Sequence, residues 1–198
     1  MTTSVPQYCI DEVTRQGHDV NVYYDGGIRV GWMPQAWELA FRYSESGEEI
    51  LPTLDDCMTL AGMVEPVANA HMWPSSTGGV NFRDCDVRVG RSLCPSPVEV
   101  IAKLPDLFRP EVLSRCRGRT PPGAQWKVDF LIVRLEDGWW DPAGPEGLES
   151  ADEWYAAFEF LHPFRDGNGR TGKILFNWLT GTLENPVLML DYFGQGTP

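Results

Sequence analysis

The chain has 198 residues, a length that fits one domain with a small extension, and its 42% hydrophobic content is enough to fill a core. A net charge of −12 and a pI near 4.6 argue against general binding to nucleic acid or to an anionic membrane surface. Five cysteines, an odd number without metal-ligand spacing, point to a reduced cytoplasmic protein rather than a disulfide scaffold.

From the start of the chain, Met1–Pro6 lacks both the basic start and the apolar run of a signal peptide. No later stretch approaches the ~20 apolar residues of a membrane span. Residues 1–51 read as a small α/β extension. Val20–Tyr24 and Ile28–Val30 flank Asp25-Gly26-Gly27, a hairpin signal. Pro34 to Tyr43 reads as a short helix with proline in its first turn, followed by a polar break.

Residues 52–198 form the larger part. Thr53 caps a predicted helix over 54–64, with Asp55 and Asp56 well placed in its first turn. Trp73–Gly79 reads as a loop, and alternation over Cys85, Val87 and Val89 fits a short strand. A helix is predicted over 97–107, ended or bent by Pro105. Arg109, Arg115, Arg117 and Arg119 form a basic cluster, read as a solvated loop or a contact for a nucleotide or acidic partner.

Val128–Leu135 is apolar and β-branched, consistent with a buried strand or a short helix. Asp137–Glu149 reads as a surface loop in which Trp139-Trp140 covers a core edge or a partner site. Ser150 and Glu153 spell a capping box, and Trp154, Ala157, Phe158 and Leu161 recur at helical steps behind it. His18 and His71 are isolated, so a zinc site is not expected.

The stretch His162-Pro163-Phe164-Arg165-Asp166-Gly167-Asn168-Gly169-Arg170 carries the chemistry. Gly167 and Gly169 can take backbone angles that aim several N–H groups at one point, an anion nest. A helix from about Arg170 to Leu183, with Ile174, Leu175, Trp178 and Leu179 at helical spacing, turns its positive end to the same point. Asp166 can hold a hard cation beside substrate phosphates, Asn168 can donate to phosphate oxygens, and Arg170 can fork onto them. His162 is left as the group able to accept a proton near neutral pH. Phe164 is expected to point into the core and anchor the turn.

On these residues the segment resembles the Fic family, whose motif reads His-x-Phe-x-Asp/Glu-Gly-Asn-Gly-Arg-x-x-Arg; every position but the last is met. The resemblance implies a mainly α fold, a helical core with the motif on a loop between two central helices and a β-hairpin flap over it. It implies transfer of AMP from ATP with Mg2+ to a Tyr, Thr or Ser hydroxyl of a target protein. By position, His162 is the general base, Asp166 the magnesium ligand, and Gly167, Asn168, Gly169 and Arg170 the phosphate cradle. Lys173 stands where the family has a second Arg that meets the terminal phosphates. Lysine keeps the charge and loses the planar fork, which leaves the nucleotide's orientation open.

Asn81–Gly90, followed by Pro95 and Pro97, resembles the family's flap. Arg83, Asp86, Val87, Arg88 and Val89 would then pair with an extended segment of the target. Some members carry a self-inhibitory helix, Ser/Thr-x-x-x-Glu-Gly/Asn, whose Glu pairs with the second motif Arg. Thr180–Asn185 fits the letters but reads as a helix end and turn. The chain thus reads as a member without a built-in inhibitor, leaving inhibition to a separate small partner protein or to none. Three rivals stay open: a Fic-fold phosphotransferase, a transferase using another nucleotide-linked substrate, and a catalytically silent binding protein. As a toxin or effector the chain could also act after delivery into another cell.

Overall fold

The structure, a computed structural model, describes residues 7–15, 33–45, 50–65, 69, 82–89, 92–136, 147–189 and 192. The described elements are α1 (Gln7–Arg15), α2 (Met33–Ser44), α3 (Leu54–Val64), β1 (Arg88–Val89), β2 (Ser92–Leu93), α4 (Pro97–Leu107), α5 (Pro110–Arg115), α6 (Gln125–Glu136), α7 (Ala151–Leu161) and α8 (Asn168–Leu179). The fold is therefore mainly α, as expected. The hairpin expected at 20–30, the loop at 73–79, and Trp139-Trp140 with the loop residues around it lie outside the described residues. Among the described residues no helix is long and apolar enough to cross a membrane.

Local chemistry accounts for most of the helix ends. Thr53 and Asp56 cap α3 reciprocally, each side chain taking the other residue's backbone N–H, and Ser96 and Glu99 do the same for α4. Pro105 lies inside the last turn of α4, which runs on to Leu107; there, proline removes only one late hydrogen bond. Ser150 caps α7 by accepting the Glu153 N–H. The Glu153 carboxylate accepts the Glu149 N–H at 2.7 Å, so the expected box closes one residue further back. Asp152, also in the first turn, takes Arg119 bidentately and the Thr120 N–H, placing negative charge at the positive end of α7.

The chain divides by packing into two compact units, residues 1–81 with 166–188 and residues 82–165 with 189–198. In the first unit α8 packs on α2 and α3, α2 packs on α3, and α1 lies on α2. Trp37 donates to the Leu183 carbonyl at 3.1 Å and Trp178 to the Ile50 carbonyl at 2.9 Å, which ties residues before 52 to the α8 segment.

In the second unit α7 is the hub, covered by α4 and α6. Trp154 stacks on Phe158 with ring centroids 5.5 Å apart, and Phe108 meets its edge. Each such buried aromatic contributes about 2–3 kcal/mol by area. Leu135 and Phe160 form a smaller core against which Val89 and Tyr192 pack. α6 settles the ambiguous run at 128–135 as helix, because its buried face lies along α7.

Candidate active site

The chain leaves the second unit between Arg165 and Asp166, inside the motif, so its two halves are built separately. In the first half α7 stops at Leu161, and His162 caps it in the left-handed region at φ 47°, ψ 59°. Among the described residues His162 is the one non-glycine with positive φ. That conformation costs a side-chain-bearing residue roughly 1–2 kcal/mol, so the surroundings must hold it. Phe164 is fully buried, 6.4 Å from Phe158, and is the anchor expected of it.

Arg83 supplies much of the hold. It is 1% exposed, and its Nε donates to the His162 carbonyl at 2.7 Å. Its two Nη groups donate to the carbonyls of Cys85 (2.6 Å), Leu161 (3.4 Å) and Pro95. Its own backbone N–H donates to the Pro163 carbonyl at 3.0 Å. Burial pushes its guanidinium below the ordinary arginine range. Expected among residues that meet a target, Arg83 is instead spent on the chain's own carbonyls.

In the second half Asp166 keeps its side chain 59% exposed. Its Oδ1 accepts the Gly167 N–H at 2.6 Å, and its backbone carbonyl accepts from Asn69 at 3.2 Å. Gly167 has φ 78°, and a Cβ there would lie 3.0 Å from Val64 Cγ1 and 3.3 Å from Glu65 Cβ. Only glycine meets both demands. α8 starts at Asn168, two residues before the expected start, and Gly169 is helical. One glycine therefore makes the turn, not two, because Gly167 alone reverses the chain before the helix begins. The helical ladder opens with the Thr171 N–H donating to the Gly167 carbonyl at 2.9 Å, so the N–H groups of residues 168–170 fall ahead of it. They lie at its positive end.

Both cations of this half are buried on carboxylates of the same unit. Arg170 donates to Glu65 at 3.2 Å and to the Val64 carbonyl at 3.4 Å, with Asp166 Oδ1 3.7 Å away. Lys173 donates to Glu12 of α1 at 2.7 Å, the two side chains 1% and 3% exposed. Glu12 also accepts from Arg15 at 2.8 and 3.1 Å. Burial works to raise the Glu12 pKa, but the hydrogen bond from Arg15 and the charge and hydrogen bond of Lys173 hold it below its ordinary value. α8 ends at Leu179, short of the expected Leu183, with Thr180 as its C-cap and a turn following. The carboxylate that meets Lys173 comes from α1, a segment that the sequence reading does not single out.

Asp166 suits magnesium, which takes one or two carboxylates and completes its shell with water and substrate phosphates. Among the described residues no three His, Cys, Asp or Glu side chains gather as a resident metal would require.

Within and just after the segment expected as a flap, Arg88–Val89 and Ser92–Leu93 pair antiparallel, Arg88 opposite Leu93 and Val89 opposite Ser92. The Cys94 N–H donates to the Val87 carbonyl at 3.0 Å and extends the ladder. Asp86 and Arg88 are exposed, and Val87 and Val89 are half-buried. The basic cluster is largely paired within its own unit: Arg119 with Asp152, Arg109 with Asp106 and Glu111, and Arg115 with the Leu148 carbonyl.

Residues 131–180 match the Fic/DOC family model. The match takes in the second half of α6, α7, the whole 162–170 stretch and α8. The ribbon at 88–93 lies outside it. Fic enzymes are generally transferases that act on nucleotide and protein targets with ATP and magnesium. No curated protein matches the chain.

Proposed function

We propose that this Fic-type chain is a protein adenylyltransferase that moves AMP from ATP to a Tyr, Thr or Ser hydroxyl of a target protein. The observation that carries the reading is the unbroken stretch His162–Arg170 inside the matched residues. The target oxygen bonds to the α-phosphorus of ATP, the bond from that phosphorus to the bridging oxygen of the β-phosphate breaks, and pyrophosphate leaves. His162 takes the proton of the hydroxyl as the new bond forms. The N–H groups of residues 168–170, at the positive end of α8, receive phosphate oxygens, with Asn168 and Arg170 beside them. Asp166 would hold magnesium, which when bound offsets phosphate charge. The ribbon at 88–93 offers backbone groups to an extended segment of the target.

Lys173 supports a second reading. Its ammonium is engaged by Glu12 at 2.7 Å, so the terminal phosphates meet no free fork there. A reversed nucleotide, and hence phosphoryl transfer, or another nucleotide-linked substrate then becomes the rival. In the family the resemblance points to, a glutamate on the second motif cation blocks productive ATP binding. Glu12 holds that relation to Lys173, and we read α1 as an inhibitor in cis, in the place otherwise left to a separate small partner.

Incubation of a lysate with the purified chain and magnesium decides between these readings, using ATP labelled at the α- or the γ-phosphate in parallel. Adenylyl transfer leaves only the α label on protein, and phosphoryl transfer only the γ label. Label from neither source contradicts both and leaves a transferase of another nucleotide-linked substrate or a silent binding protein.

A further inference from the structure

We propose that Arg83 is a positioning residue for His162, coupling the base of the flap to the backbone of the general base. The inference rests on the reading of His162 as that base.

Two carbonyls at the end of α7, those of Leu161 and His162, lie past its hydrogen-bonded ladder, and the helix dipole places partial negative charge on them. A buried guanidinium answers both, with Nε on His162 at 2.7 Å and Nη2 on Leu161 at 3.4 Å. The Arg83 backbone N–H takes the next carbonyl, Pro163, so one residue brackets three successive peptide groups around the left-handed turn. The remaining donors bind Cys85 and Pro95 on either side of the ribbon.

Each bond carries information about position. Left-handed backbone at a histidine is a minor conformation for an L-residue, and it persists only where contacts over-determine it. Releasing the His162 carbonyl frees the backbone to relax toward ordinary angles and swings the imidazole with it. Lysine keeps the charge and most of the volume but presents one nitrogen, so it cannot serve carbonyls on both sides.

The test uses the full chain and the variants Arg83→Lys and Arg83→Gln. Backbone 13C and 15N shifts report the left-handed state of His162 without any need for activity. Transfer kinetics report kcat and the nucleotide KM separately. We expect folded variants with a lowered Tm, loss of the left-handed signature at His162, a fall in kcat of about 10- to 100-fold, and a nucleotide KM within about twofold of the parent. A merely structural arginine would lower Tm and leave both the signature and kcat in place, and that result overturns the proposal. Should neither variant fold, exchange of the Arg83 Nε–H in the unaltered protein decides: strong protection supports the bond to His162, and rapid exchange overturns it. A parent with no transfer activity would sink the transferase reading, while the shift measurement still decides whether Arg83 fixes His162.

Discussion

The two halves of the motif are held by different chemistry. His162, at the end of α7, rests on uncharged carbonyls gathered by one buried guanidinium. Arg170 and Lys173, in α8, are buried cations neutralised by Glu65 and Glu12. A carbonyl does not titrate and a carboxylate does. Acid therefore reaches Glu12, the support of Lys173, and leaves the carbonyls gathered by Arg83 in place. The contrast suits the proposed division of labour: a general base at His162 would need a fixed position, whereas phosphate-binding cations would need partners that can be exchanged for an incoming anion.

The sharpest way to break the comparison is to remove the carboxylate that serves the phosphate half alone. Asp166→Ala is expected to lower transfer by on the order of 100-fold or more and to abolish the magnesium dependence of nucleotide uptake. Because that side chain is exposed, the Tm should hardly move. Titration calorimetry with and without magnesium checks the first expectation and a thermal melt the second.

Gly167→Ala should act through the fold. A side chain at φ 78° is strained, and its Cβ would press within 3.0 Å of Val64. The combined cost is roughly 2–4 kcal/mol, measurable by urea unfolding.

Glu12→Gln tests the titrating support. The folded-state pKa of Glu12 is depressed, so its contribution is fully present above the unfolded carboxylate value of about 4.3 and is lost as pH falls through the lower folded value. The glutamine variant should lose about 2 kcal/mol at neutral pH and show a shallower decline of stability in that acid window. If α1 inhibits in cis, the same change raises transfer at neutral pH. The Arg83 variants keep Glu12, so a parallel acid titration should show them declining through the same window as the parent, displaced by a constant amount.

The smallest effect belongs to Arg165→Ala. Its pair with Asp84 at 2.6 Å is exposed on both sides and should be worth under about 1 kcal/mol by unfolding.

The motif was legible because its chemistry sits in contiguous letters, and the capped helices α3, α4 and α7 because their signals are local. What stayed hidden are charges that fold inward. α1 turns Cys9 and Glu12 to the core. A helical reading of apolar spacing counts Glu12 as solvent-facing, so α1 was not predicted. Arg83 reads as a target-facing residue because the letters do not show that the end of α7 presents carbonyls to it. α5 has six residues, too few to establish a period. The start of α8 was misplaced because two glycines spelled one turn, and only the positions of Val64 and Glu65 reveal that Gly167 alone makes it.

The most direct test compares the unaltered chain with His162→Ala in ATP labelled at the α-phosphate, with far-UV circular dichroism confirming that both are folded. The account expects label on protein with the parent and a fall of about 10²- to 10⁴-fold with the variant. Equal labelling by the two proteins would contradict it.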